Sequence, residues 1–134
     1  MILSSYLNFN GTCEDAFRFY STVFNGEITA INRYEGSPLE FPENYGQKVM
    51  HAEMIFENNR IQGCDILPKD GVFIDTNYKL SLNFMEVFIM DQVFNDLAKG
   101  GVVTMPLQDT FWGARYGKLT DRFGIHWMFN CDLN

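Results

Sequence analysis

Along this chain, apolar and polar residues alternate, then recur at helical spacing, then alternate again, and the whole pattern runs through twice. From Ile2 to Phe9, Leu7 and Phe9 alternate with Tyr6 and Asn8, which predicts a strand. Asn10-Gly11 breaks it. Thr12 can cap a helix, Glu14 and Asp15 suit the positive end of its dipole, and Ala16, Phe17, Tyr20, Val23 and Phe24 recur at helical spacing. Asn25-Gly26 ends the helix, with the glycine expected in the left-handed conformation, and Glu27 to Tyr34 reads as a second strand. Glu35 to Gln47, with two prolines and two glycines, predicts a long loop, a lid or a dimer arm. Lys48–Glu57 and Arg60–Leu67, separated by Asn58-Asn59, give the clearest hairpin signal.

After a second loop from Asp70 to Asn77 the plan repeats. Tyr78 to Phe88 predicts a strand, and Asp91 a helix cap. Val93, Phe94, Leu97 and Ala98 form an apolar stripe, and Lys99-Gly100-Gly101 stops the helix. Strands Val102–Leu107 and Phe111–Leu119 follow. Asp121-Arg122-Phe123-Gly124 makes the turn into a last strand, Ile125–Asn130. The fold class expected is therefore α+β, in which two βαβββ modules, about 1–70 and 78–134 of a single 1–134 domain, form a cupped mixed sheet with helices on its outer face.

Parity assigns side chains to faces. Met50, Ala52, Met54 and Phe56 fall on one face of their strand, and His51, Glu53 and Ile55 on the other. Opposite the helix-facing Leu7, Met54, Leu82 and Trp127 lies a polar set: Tyr6, Asn8, His51, Glu53, Gln62, Cys64, Ser81, Asn83, His126, Met128 and Asn130. Such a set on the concave side of a cup suits a small-molecule site, although an exposed outer face alternates in the same way. The stretch Thr110–Phe129 adds Phe111, Trp112 and Tyr116 as flat surfaces and Arg115 as a forked donor for a carboxylate, phosphate or enolate oxygen. Aromatics at strand ends are more often core than ligand platforms.

Composition narrows the function classes. At 134 residues the chain is long enough for one core, and 46% hydrophobic content is that of a folded protein. A formal net charge of -7, with ten scattered Lys and Arg, argues against nucleic acid. No apolar run reaches the ~20 residues of a membrane span and no signal peptide is evident, so a cytoplasmic protein with no membrane partner is expected. Cys13, Cys64 and Cys131, far apart and outside any CxxC pair, fit reduced thiols. Lys69, Asp70 and Lys99 read as solvated surface.

Three segments, Tyr6–Ile28, Lys48–Ile66 and Thr110–Asn130, together resemble the PhnB-like branch of the glyoxalase/bleomycin-resistance/extradiol-dioxygenase superfamily, also called the vicinal oxygen chelate superfamily. The segment FW-x-x-x-x-GK-x-T-D-x-F-G-x-x-W is the specific motif, and NG-x-C-x-x-A-x-x-FY supports it. The resemblance implies paired βαβββ modules, a cupped sheet and a homodimer. It implies no single reaction, since members isomerise, open rings, transfer thiols or sequester drugs. Metal-dependent members place His, Gln or Glu on the first and last strands of each module. Those positions fall here near Ser5 or Tyr6, on Gln62 or Cys64, on Ser81 and on Met128. The last stands seven residues after Asp121, where metal enzymes usually carry Glu. Thioether and hydroxyl donors suit Zn²⁺, Ni²⁺ or Mn²⁺ poorly, so no metal and no cofactor are expected. His51 and Glu53, with Asp65 from the next strand, are an alternative cation site.

Two departures stand out. Ala114 replaces a His common in relatives. Some members carry a demethylubiquinone methyltransferase label, but the glycine-rich strand-to-helix turn that a nucleoside cofactor needs is missing. The leading expectation is a metal-free, homodimeric small-molecule-binding protein, with the ligand stacked on Trp112 and Tyr116 and held by Arg115, His51 and Glu53. The alternative is a metal-dependent or carboxylate-base lyase, isomerase or transferase, with Glu53 or His51 as general base on a small oxygenated substrate.

Overall fold

The structure, a computed structural model, describes residues 1–72 and 75–134. Two compact units divide it, Met1–Phe73 and Ile74–Asn134. The first contains β1 (Ser5–Phe9), α1 (Cys13–Phe24), β2 (Glu27–Arg33), β3 (Val49–Phe56) and β4 (Asn59–Asp65). Its sheet runs β1-β4-β3-β2, with β1 parallel to β4 and the other pairs antiparallel. The second contains β5 (Leu80–Phe84), α2 (Val87–Ala98), β6 (Val102–Asp109), β7 (Ala114–Thr120) and β8 (His126–Asp132), in the matching order β5-β8-β7-β6. Each unit is thus a βαβββ module, and the fold is α+β. No helix among the described residues is long and apolar enough to cross a membrane.

In the first unit, α1 buries Cys13, Ala16, Phe17 and Tyr20 against the sheet face that carries Leu7, Ala52 and Met54. Phe24 extends this contact by stacking on Phe56 at 4.6 Å. The helix comes close because Gly63 has no side chain: a Cβ there would stand 2.7 Å from the Leu7 carbonyl and 3.0 Å from the Phe17 ring. In the second unit Met90, Phe94 and Leu97 of α2 are buried, and Phe94 meets the edge of Phe129 at 4.9 Å.

Several boundaries differ from the sequence expectation. β1 begins at Ser5, and Ile2 and Leu3 are exposed. Asn25, not Gly26, takes the left-handed conformation (φ 52°) after α1, which a short polar side chain tolerates. The β3–β4 turn is Glu57-Asn58, one residue earlier than read, with Glu57 at φ 50° and Asn59 paired to Phe56. At the start of β3 the buried residue is Val49 and Met50 is half-buried, because β2 pairs Asn32 with His51 and then Arg33 with Val49, a register shift that leaves Met50 unpaired and changes the parity.

The largest shift is at α2. Tyr78–Phe88 is not one strand: β5 stops at Phe84, Glu86 stands at the cap position, and Asp91 lies inside the helix. Met90, Phe94 and Leu97 supply the apolar spacing that decides the start. The loop after β2 is held to its own unit. Tyr34 and Tyr45 are buried, and their hydroxyls donate to the Asp65 and Ile66 carbonyls at 2.7 and 2.6 Å. These bonds fix the two ends of the loop on β4 and the residue after it. The expected loop from Asp70 to Asn77 includes Phe73 and Ile74, which lie outside the described residues.

Candidate functional site

With each helix covering one sheet face, the period-2 geometry of the strands sends a second set of side chains to the other face. In the first unit the register lines up Tyr6, Gln62 and Glu53 across β1, β4 and β3, with Asn8 beside Cys64 in the next row. Glu53 is the centre of this surface. It accepts from the Thr29 hydroxyl at 2.8 Å and from Gln62 Nε2 at 3.3 Å, and it pairs with Arg60 Nε at 3.2 Å. These partners, the Thr29 hydrogen bond foremost, hold its carboxyl below the usual carboxylate range. A general base near neutral pH needs the opposite shift.

Tyr6 and His51 form the second feature. Burial, with the neighbouring Cys64, pushes the Tyr6 phenol up to about 12, so it stays protonated, and its hydroxyl shares a hydrogen bond with His51 Nδ1 at 3.1 Å. The other ring nitrogen of His51, Nε2, has no hydrogen-bond partner among the described residues. Cys64 donates to Asn8 Oδ1 at 3.5 Å, and burial pushes its thiol up, away from thiolate chemistry.

Asp65 does not belong to this group. It is 1% exposed, on the helix side of β4, and its two oxygens accept from the Cys13 and Val49 amides, each at 2.9 Å. It therefore caps α1 from a distance, in place of Thr12, which makes no side-chain cap. His51, Glu53 and Asp65 are consequently not brought together as a cation site. Among the described residues no group of three or more His, Cys, Asp or Glu could hold a metal ion.

In the second unit the matching face carries Ser81 and Asn83 on β5, Tyr116 and Lys118 on β7, and Met128 and Asn130 on β8. Ser81 and Met128 stand side by side, a hydroxyl and a thioether where a divalent metal prefers imidazole or carboxylate. His126 is fully engaged: Nε2 donates to the Asp75 carbonyl and Nδ1 accepts from the Thr120 hydroxyl, both at 2.7 Å.

Of the residues expected to grip a ligand, the aromatic ones meet one another and Arg115 is engaged elsewhere. Trp112 and Phe111 sit in the β6–β7 turn, 59% and 96% exposed, with their rings edge to face at 5.0 Å. Tyr116 meets Trp112 at 6.2 Å, also edge on. Arg115 is not a free fork, because its Nε pairs with Asp91 at 3.0 Å and its Nη1 with Asp109 at 3.2 Å. It clamps α2 to the β6–β7 hairpin. Thr29 and Arg60, which complete the Glu53 cluster, lie in strands that the sequence predicts, but their pairing with Glu53 emerges only when β2, β3 and β4 are laid side by side.

Comparison with known proteins agrees with this architecture. The family described as 3-demethylubiquinone-9 3-methyltransferase matches residues 2–129. Protein YjdN of Escherichia coli is 33% identical over 97% of this chain and 95% of its own length. The crystal structure of PA1353 from Pseudomonas aeruginosa superposes with a TM-score of 0.90 at 35% identity, covering 100% of this chain and 99% of that one. The PhnB protein from Bacillus cereus follows with a TM-score of 0.80 at 26% identity, over 98% and 99% of the two chains.

Proposed function

We propose that this chain, which belongs to the PhnB-like branch of the glyoxalase/bleomycin-resistance (vicinal oxygen chelate) superfamily, is a metal-free small-molecule-binding protein. One observation carries the reading. Each sheet keeps one face free of its helix, and that face presents half-buried side chains, mostly polar, His51, Glu53 and Gln62 beside the exposed Tyr6 in one unit and Tyr116, Lys118, Met128 and Asn130 in the other. The candidates that keep a direct role are His51, through its unpartnered Nε2, Glu53 and Tyr116. Asp65 and Arg115 support the framework, and Trp112 presents its ring at a turn. The metal-free reading is supported by Ser81 and Met128, a hydroxyl and a thioether side by side at positions where the superfamily's metal enzymes carry ligands.

The methyltransferase in the family's description does not extend to this chain's chemistry. The β1–α1 turn, Asn10-Gly11-Thr12, has a single glycine, and a four-stranded mixed sheet lacks the parallel doubly wound crevice that binds a nucleoside cofactor. A lyase, isomerase or transferase with Glu53 as base would need a carboxyl raised toward neutrality, and its partners lower it.

The reading includes a homodimer. Met85, Phe88, Phe111, Trp112 and Leu133 are exposed large apolar residues at or beyond one end of the second sheet, where a second copy of the chain would cover them. Native mass spectrometry of the protein as purified tests both parts. The expected mass is twice the 15.5 kDa chain with no stoichiometric divalent metal. A bound transition metal on every chain would overturn the metal-free reading and make metal-dependent lyase or transferase chemistry the better account.

A further inference from the structure

The two modules place opposite charges at the same register position. In the first, the row Leu7–Gly63–Ala52 runs under α1, and the next row on the open face is Tyr6–Gln62–Glu53. In the second, the row Leu82–Phe129–Gly117 lies under α2, and the corresponding open-face row is Ser81–Met128–Lys118. Lys118 thus stands where Glu53 stands. Glu53 is satisfied by Arg60, Thr29 and Gln62, whereas half-buried Lys118 has no ion pair and no hydrogen bond among the described residues.

The other cations of comparable burial differ. Lys48 donates to the Gly11 carbonyl, Arg33 pairs with Glu14, and Arg115 pairs with Asp91 and Asp109. Around Lys118 the register supplies Met105 and Met128, and the strand itself supplies Tyr116 and Thr120. None of these is an anion. Asp132 is the acidic residue of β8, and it lies four residues beyond Met128, roughly 13 Å along the strand. An ammonium held at a half-buried position without a counter-charge is a local site for an anion, against the repulsion that a chain of net charge -7 exerts at longer range. The surrounding groups fit an organic one: hydroxyls of Ser81 and Tyr116 to share the oxyanion, and two thioethers to take an apolar remainder.

We infer that Lys118, with Ser81 and Tyr116, binds the oxyanion group of a small organic acid, a carboxylate or a phosphate monoester, whose apolar part lies on Met105 and Met128. The inference rests on the proposed binding function and names its ligand class. Amide NMR titrations of the full chain with benzoate and phenyl phosphate, against neutral benzyl alcohol and against inorganic phosphate, test it. Both organic anions are expected to shift Ser81, Tyr116, Lys118 and Met128 saturably, and to bind about tenfold or more tighter than benzyl alcohol. Lys118→Met, which keeps the apolar stem, is expected to abolish that difference, and Lys118→Arg to retain most of it. The melting temperature of each variant confirms that it is folded.

If benzyl alcohol shifts the same residues as strongly as the anions, the charge inference fails while the binding function stands. Inorganic phosphate binding as tightly as phenyl phosphate would remove the organic part of the ligand. If no probe perturbs the open face of either sheet, the inference and the proposed function fall together.

Discussion

Asp121→Ala is expected to destabilise the protein by about 4 kcal/mol, since each buried donor left without an acceptor costs about 1–3 kcal/mol. Asp121 is 3% exposed, and it organises the turn into β8. Its Oδ1 accepts from the Phe123 amide at 2.8 Å and the Ile125 amide at 3.1 Å, while Oδ2 accepts from Trp127 Nε1 at 2.9 Å. Trp127 is 1% exposed in the core under α2, so its N–H has no water to turn to. A loss of this size is a large fraction of the ~5–15 kcal/mol by which a domain is stable. Urea unfolding reads it as a lower midpoint at unchanged slope. Trp127→Phe removes the indole donor, so adding it to Asp121→Ala should cost less than the sum of the two single changes. If Asp121→Ala cost under about 1 kcal/mol, the turn would not depend on this carboxylate.

Asp65→Ala is the second large effect, about 3 kcal/mol from two buried amides, Cys13 and Val49, that would lose their acceptor. The same substitution discriminates the framework role from a cation-binding one. As a strut, Asp65 stabilises the chain equally in chelator and in added divalent metal, so the drop in melting temperature should be the same in both. A wild-type melting temperature raised by metal, with the rise lost in Asp65→Ala, would restore the residue to a cation site.

Much of this was readable in the sequence where the determining information is local. Alternation at Tyr6 and Asn8, at His51 and Glu53 and at Gln62 and Cys64 assigns the open face of the first sheet, because strand parity needs only neighbouring residues. Ala16, Phe17 and Tyr20 mark the buried face of α1 in the same way. What the sequence hid depends on pairing across distance. Arg115 reads as a free guanidinium until Asp91, 24 residues away on a different element, is folded against it. Asp65 alternates with Gln62 and Cys64, so parity alone turns it to the helix side; what was hidden is the Cys13 amide, 52 residues distant, that needs it as an acceptor. The start of α2 was obscured because Phe84-Met85-Glu86-Val87-Phe88 is apolar enough to extend a strand, and only Met90 sets the helical phase. Lys118 was visible in the GK of the family motif, but its significance lies in the carboxylates that do not surround it.

Amide NMR mapping of small-molecule hits on metal-stripped protein tests the central claim most directly, because it reads both where ligands bind and whether metal is needed. Hits are expected to perturb the open faces, Tyr6, His51, Glu53 and Gln62 together with Tyr116, Lys118 and Met128, and added divalent metal is expected to change their affinity by less than about twofold. Hits that map to the helix faces or loops, or that bind only once metal is restored, would contradict it.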